Sequence, residues 1–310
     1  MTDVLSAILP VFALIFGGWW VRRQQWVGKT CTSELNKYVV TLALPALLSD
    51  IIINSSWDHG WHWDFIGAFS IATLLLFATS VLIAVCKGHS RPEAAICGLN
   101  ASYANTGFMG FPLLFSVVGE DSRQFMLLAT LFTVCLLFAL AVVMLEFGSE
   151  DASQNNHRVF IKIIKNPMII APLCASLFVA ADIPLFAPVN ASIHLLGASA
   201  APCALVTIGM FLSENTRAVR VISLQSSLLV LTKLVVHPLI VYLLGFYIFK
   251  LDSISLLCAV TLAALPIGTG PFMLAEHFGK NAMTTSQSIL LSTLLSPLSL
   301  LVIILFLKQD

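Results

Sequence analysis

Apolar residues fill long runs in this chain, and polar residues are confined to short segments between them. A run of ~20 apolar residues is long enough to cross the hydrocarbon core of a bilayer as a helix. The pattern predicts an all-α membrane protein with ten spans in two groups of five. The spans lie at Val4–Val21, Leu35–Ile53, Phe65–Cys86, Ala94–Val118, Phe125–Phe147, Met168–Ala181, Ala191–Leu212, Leu224–Phe249, Ile254–Ala275 and Met283–Leu307.

Two of these spans carry glycine and proline in the middle of the apolar run. The fourth reads Asn105-Thr106-Gly107-Phe108-Met109-Gly110-Phe111-Pro112, and the ninth reads Pro266-Ile267-Gly268-Thr269-Gly270-Pro271. Such residues interrupt the helical hydrogen-bond ladder, and the freed backbone groups are tolerated only where protein or a watery cavity receives them. A matched pair of interrupted spans in two halves indicates the binding site of a secondary transporter.

An odd number of spans in each half makes the second half enter the membrane upside down relative to the first. Residues 1–150 would form one five-helix repeat and residues 151–310 the inverted second one. Gly110 and Gly119 match Gly270 and Gly279 at the same offset, since 270 − 110 = 279 − 119. The sequence thus predicts an inverted repeat in which the broken fourth and ninth helices cross.

Composition supports a membrane location and excludes other classes. The chain is 58% hydrophobic and only 10% charged, whereas a soluble domain carries about 25% charged residues. A formal net charge of zero argues against nucleic acid as a partner. The seven cysteines are scattered singly without metal-ligand spacing, so we expect no metal and no cofactor.

The lysines and arginines predict the orientation of the spans. Twelve of them fall in one set of alternating loops: Arg22, Arg23, Lys29, Lys37, Lys87, Arg91, Arg158, Lys162, Lys165, Arg217, Arg220 and Lys280. Arg123, Lys250 and Lys308 fall on the other side, and Lys233 lies inside a span. Because positive residues favour the cytoplasmic side, both termini should face outside.

The two breaks suggest a particular chemistry. Each leaves a half-helix N-terminus near the bilayer midplane, which carries about half a positive charge and free N–H donors and so favours an anion. Asn105, Thr106 and Thr269 add side-chain donors at this level. The remaining predicted substrate-binding positions are those of the two breaks themselves: Gly107, Gly110, Pro112, Pro266, Gly268, Gly270 and Pro271. The alternative is that these residues only kink ordinary spans.

Three further polar residues lie inside spans. Lys233 is nine residues after Leu224, near the bilayer centre, where a cation needs a partner inside the protein. It could balance substrate charge or position the broken helices. His237 follows on the same helix face and is a candidate coupling residue, as is Asn100. A structural role for either residue stays open.

With these residues in hand, the chain resembles the auxin efflux carrier family in its compact bacterial form. The similar stretches are Leu35-Asn36-Lys37-Tyr38, Leu44-Pro45-Ala46-Leu47-Leu48, Asn105 through Leu113, Lys165-Asn166-Pro167, Ala201-Pro202-Cys203-Ala204-Leu205, Lys233 through Pro238, Ala264-Leu265-Pro266 through Ala275, and Ser292-Thr293. The chain departs from the pattern at Gly270, where many relatives carry Asn, so that backbone N–H groups or Thr269 would have to replace that contact.

The resemblance implies a scaffold of spans one, two, six and seven, and a transport part of spans three to five and eight to ten. It implies a substrate held at the crossing, an elevator-type movement and a homodimer. Bacterial members are described as malonate or malate permeases.

The sequence therefore predicts a secondary transporter of a small organic anion, a carboxylate or dicarboxylate, in a bacterial inner membrane. An anion channel built on the same crossing is the alternative, and coupling to a proton, to sodium or to the membrane potential alone stays open. An intramembrane enzyme is disfavoured, because no nucleophilic triad or paired-carboxylate arrangement lies at membrane depth.

Overall fold

The computed structural model describes residues 2–54, 62–148, 165–215 and 222–307, and every regular element in these ranges is helical. In chain order the helices are α1 (Thr2–Arg23), α2 (Cys31–Ile53), α3 (Trp63–Cys86), α4 (Arg91–Ser102), a π-helical turn (Thr106–Gly110) that runs into α5 (Phe111–Val117), α6 (Glu120–Phe147), α7 (Pro167–Ala180), α8 (Ala187–Glu214), α9 (Leu224–Ile248), α10 (Ser253–Ala264), α11 (Gly270–His277) and α12 (Ala282–Leu307).

Six of these helices are long and apolar enough to cross a membrane. They are α2, α3, α6, α8, α9 and α12, each with 23 to 28 residues. Two shorter apolar helices, α7 and α10, accompany them. Lengths and composition thus agree with a multi-pass membrane protein.

Polar residues at the ends of the apolar runs determine where several helices begin. Asp252 and Ser223 accept hydrogen bonds from backbone N–H groups in the first turns of α10 and α9. Ser90 and Glu93 form a reciprocal capping box at the start of α4, which satisfies two N–H groups that have no helical acceptor. The hydrogen bonds from Ser90 lower the pKa of the Glu93 carboxyl below its ordinary value.

Both predicted interruptions are present, although the first lies closer to the N-terminus than predicted. Helix α4 ends at Ser102 and helical structure resumes at Thr106, so only residues 103–105 are non-helical. Of the predicted interruption at Asn105–Pro112, only Asn105 is non-helical, and Thr106–Gly110 depart from the α-helical pattern as a π-helical turn. Pro112 lies directly after this turn, and the helix continues past it to Val117.

The second interruption ends where a proline occupies a first helical turn, a position in which no N–H is needed. Helix α10 ends at Ala264, residues 265–269 are non-helical, and α11 begins at Gly270. Pro271 lies in the first turn of α11, so Gly270 and Pro271 start a helix instead of extending the break. We call residues 103–105 the first break and residues 265–269 the second break.

Glycines bring α1 and α8 into close contact. A Cβ at Gly18 would overlap the Val206 carbonyl group, and one at Gly209 would overlap the backbone of Ile15. Gly197 of α8 similarly faces the backbone of Leu47 in α2, where a Cβ would lie 2.9 Å from the Leu47 Cα. Small residues at crossings allow membrane helices to pack backbone against backbone. Helices α1, α2 and α8 therefore form one tightly packed group.

This packing makes a prediction about two adjacent glycines of α1. Gly18→Ala should lower the free energy of unfolding by about 1–3 kcal/mol, the usual effect of overpacking, because backbone atoms of α8 cannot move aside cheaply. Gly17→Ala is the matched control, since a Cβ there meets no atom within 4 Å. Thermal unfolding of the detergent-solubilised variants measures the difference. Equal midpoints for the two variants would contradict the close crossing.

Candidate functional site

The two breaks lie against each other and pair through their backbones. The Asn105 N–H donates to the Pro266 carbonyl at 2.9 Å, and the Gly268 N–H donates to the Tyr103 carbonyl at 3.2 Å. Ala104 and Ile267 thereby form an antiparallel bridge. Groups released by the interruption of one helix thus satisfy those of the other, as backbone at membrane depth requires.

A third helix fixes the second break. The Ile267 N–H donates to the Ser292 Oγ of α12 at 3.1 Å. Ser292 in turn donates to the Ile289 carbonyl of its own helix at 3.0 Å. The second break is therefore held on two sides, by the first break and by α12.

The antiparallel pairing places two helix starts on opposite sides of the bridge. Thr106 follows Ala104 by two residues and Thr269 follows Ile267 by two, and the two chains run in opposite directions at this point. Thr106 opens the π-helical turn that continues into α5, and Thr269 immediately precedes α11. Each start presents the positive end of a helix dipole. At the first start the Thr106 N–H donates to the Ala104 carbonyl at 2.8 Å.

A cavity of about 200 Å³ adjoins this bridge. Its walls come from the two breaks and the helix starts, from α6, and from α2 and α8. The lining residues are Tyr103, Ala104, Asn105, Thr106, Gly107, Thr269 and Gly270, then Thr130 and Val134 of α6, and Leu44, Leu47, Ile51 and Ala200 of α2 and α8. The structure thus brings five of the predicted site residues to one cavity: Asn105, Thr106, Gly107, Thr269 and Gly270.

Several hydrogen-bonding groups around the cavity are uncommitted. The buried hydroxyls of Thr106 and Thr130 have no hydrogen-bond partner within the described chain. The Thr269 side chain does not cap α11, and the described backbone offers no acceptor to the N–H groups of Thr269 and Gly270. Unpaired buried polar groups cost free energy, so these groups favour a polar occupant.

Tyr103 is a lining residue that the sequence analysis missed. Its ring explains two of the glycines, because a Cβ at Gly268 would lie 2.8 Å from Tyr103 Cε1 and one at Gly270 would lie 2.9 Å from Tyr103 Cζ. A Cβ at Gly270 would also come within 2.9 Å of the Phe138 ring. The absence of Asn at position 270 thus accompanies a tyrosine that fills the space such a side chain would need.

Thr130 is the second residue that the sequence analysis missed. It lies at the end of the α-helical first part of α6, directly before the π-helical segment Leu131–Leu137. A widened helical turn re-aims side chains and is often found at functional sites. A threonine within an apolar run gives no sequence signal of its own, because most such hydroxyls bond back to their own helix.

Other predicted site residues lie elsewhere. The Gly268 N–H donates to the Tyr103 carbonyl and the Pro266 carbonyl accepts from the Asn105 N–H, and neither residue lines the cavity. Gly110 faces Leu262, from which a Cβ would be 3.2 Å away. Pro271 is buried in α11 and does not line the cavity. The ring of Pro112 is outside the described side chains.

Lys233 does not line the cavity but acts on the backbone beside it. The side chain is fully buried, and its Nζ donates to the Ala263 carbonyl at 2.5 Å and to the Leu265 carbonyl at 2.7 Å. These carbonyls belong to the last turn of α10 and the start of the second break. An amine at a helix C-terminus satisfies orphan carbonyls and opposes the negative end of the dipole. Of the two roles left open for Lys233, the contacts support positioning.

The two candidate coupling residues are also away from the cavity. The His237 Nε2 lies 3.0 Å from the Thr73 Oγ1 of α3, and Thr73 itself donates to the Phe69 carbonyl at 2.6 Å. Asn100 donates to the Thr285 Oγ1 at 2.9 Å and lines a second, smaller cavity with His89, Glu93 and Lys280. Within the described residues no cluster of His, Cys, Asp and Glu could hold a metal ion.

Comparison with known proteins assigns a family. Residues 3–304 match the family described as Membrane transport protein. A protein named "Putative malonate transporter" from Rhizobium meliloti (strain 1021) is 29% identical over 306 residues, which cover 96% of this chain and 93% of that protein. "Uncharacterized transporter YfdV" of Escherichia coli (strain K12) is 22% identical over 95% of this chain and 94% of its own length. "Auxin efflux carrier component 2" of Arabidopsis thaliana is 28% identical over 47% of this chain and 23% of its own length.

The contacts of Lys233 make a prediction. Lys233→Met keeps much of the side-chain volume but leaves the Ala263 and Leu265 carbonyls unpaired. Each unpaired buried carbonyl costs about 1–3 kcal/mol of folding free energy. We expect a lower thermal midpoint and faster amide hydrogen exchange in residues 263–270. Lys29→Met is the control, because Lys29 is exposed. Unchanged exchange in this segment of the Lys233 variant would exclude the positioning role.

Proposed function

The chain belongs to the membrane transport protein family, to which the auxin efflux carrier resemblance points, and is a transporter rather than an enzyme. From this premise we propose that it is a secondary transporter of a small organic anion, a carboxylate or dicarboxylate of the size of malonate. The observation that carries the proposal is the cavity between the two paired breaks, with two helix starts and several uncommitted donors at its wall.

The size and polarity of the cavity support a small anion. Pockets for drug-sized ligands usually enclose about 300–1,000 Å³, so a cavity of about 200 Å³ suits a smaller solute. The groups in position to contact it are the side chains of Asn105, Thr106 and Thr269 and the Gly270 N–H. All of them can donate hydrogen bonds, and helix N-termini favour negative charge. The name of the malonate-associated relative agrees with this chemistry.

The helices can be grouped into the predicted ten spans. In this proposal α4 with α5 forms the fourth span and α10 with α11 the ninth, and residues 1–150 and 151–310 are inverted repeats. The glycine-packed helices α1, α2 and α8, together with α7, would form the scaffold. The remaining helices would form the transport part.

The position of the cavity supports an elevator-type movement. Its apolar wall comes from α2 and α8, and its polar wall from the breaks and α6. A substrate bound to the polar wall would move together with the transport part past the scaffold. We further propose a homodimer in a bacterial inner membrane with both termini outside, on the grounds of the family resemblance and the distribution of Lys and Arg.

The direct test is uptake of labelled malonate by proteoliposomes that contain the purified protein. Asn105→Ala should reduce uptake about tenfold or more, because a hydrogen bond to a charged group is worth about 1.5–3 kcal/mol. Asn190→Ala is the matched control, since Asn190 pairs with Asn54 at the α2–α8 contact. Full uptake by a folded Asn105 variant would refute the assignment of Asn105. Uptake that rises linearly without saturation would favour a channel.

A further inference from the structure

The cavity at the crossing is polar but carries no formal charge. None of its lining residues is Asp, Glu, Lys, Arg or His, and Tyr103 is its one titratable side chain. The buried Lys233 does not line the cavity, and its Nζ is turned to the carbonyls of Ala263 and Leu265. Any positive potential in the cavity therefore comes from backbone and side-chain dipoles rather than from charged side chains.

Two helix starts supply that potential. A helix N-terminus is equivalent to about half an elementary charge, and the starts at Thr106 and Thr269 lie on opposite sides of the bridge while both line the cavity. Together they supply about one positive charge. A monoanion is balanced by this arrangement, whereas a dianion would leave one negative charge buried and unpaired, which is strongly unfavourable.

Uncommitted hydroxyls are available for a second, uncharged group. The Thr106 and Thr130 hydroxyls are 0% and 1% exposed, line the cavity and have no partner in the described chain. A hydroxyl can both donate and accept a hydrogen bond. It can therefore satisfy a protonated carboxyl group, which presents one O–H donor and one carbonyl acceptor, better than a group that only donates.

We propose that the transported species is the monoanion of a dicarboxylate, with its ionised carboxylate at the N–H groups of Thr269 and Gly270 and its protonated carboxyl at Thr106 and Thr130. This inference rests on the proposed function. The balance is simple: a dianion takes up one proton in solution, crosses as the monoanion and releases the proton on the other side. The proton travels on the substrate, so no ionisable side chain is needed in the cavity.

The test compares malonate with monomethyl malonate, whose ester keeps it a monoanion when malonate becomes a dianion. Above the second pKa of malonate, initial uptake of subsaturating malonate into proteoliposomes should fall about tenfold per pH unit, in step with its monoanion. Uptake of monomethyl malonate should stay constant over the same range. Malonate uptake that is independent of pH, or a protein that takes up malonate but not the monoester, would overturn the inference. If proteoliposomes with folded protein take up neither malonate nor monomethyl malonate, the proposed function itself is refuted.

A variant pair tests the contact of Thr130. Thr130→Val preserves the shape of the side chain but removes the hydroxyl. It should raise the malonate concentration that gives half-maximal uptake about 3- to 10-fold, as expected for the loss of one hydrogen bond. Propionate has no second carboxyl group, so the propionate concentration that halves malonate uptake, corrected for the change in malonate affinity, should be the same for the variant and the unmodified protein. Thr133→Val is the control, because the Thr133 hydroxyl is equally buried and unpartnered but does not line the cavity. Equal losses for malonate and propionate, or an equal effect of both variants, would exclude a specific contact at Thr130.

Discussion

The need to pair every backbone polar group at membrane depth governs this structure. Two helices are interrupted, and in hydrocarbon each interruption alone would leave N–H and carbonyl groups without partners. The antiparallel bridge between Ala104 and Ile267 resolves both problems at once, because each break supplies the donors and acceptors that the other lacks. Neither interruption is therefore explicable by itself, and the position of one determines the position of the other.

The helices that end or begin at the two breaks differ in whether their terminal polar groups have partners. The C-terminal end of α10 is closed, because the Lys233 Nζ donates to the carbonyls of Ala263 and Leu265. The N-terminal ends at Thr106 and Thr269 instead line the cavity. The negative end of the α10 dipole is thus covered, whereas the two positive ends line the cavity, which is the basis on which we propose an anion as the substrate.

Much of this arrangement could be predicted from the sequence, because composition and apolar run length are strong signals. The two interruptions were visible as Gly and Pro within apolar runs, and Asn105, Thr106 and Thr269 as polar residues beside them. The exact limits of the interruptions could not be predicted, since a proline occurs at the start of a helix as readily as within a break. Thr130 and Tyr103 could not be found, because their role depends on which helices pack together. The contacts of Lys233 with carbonyls 30 and 32 residues away likewise depend on tertiary structure.

The apolar composition of one cavity wall has a mechanical consequence. Leu44, Leu47, Ile51 and Ala200 offer a solute only dispersion contacts, which are individually weak and depend little on direction. In the proposed elevator-type movement, displacement of the opposite wall along this surface would exchange one set of such contacts for another without breaking a hydrogen bond to the solute. Leu47 belongs to α2, whose backbone packs closely against Gly197 of α8. The wall is therefore both apolar and rigid, so a solute can slide along it without deforming it.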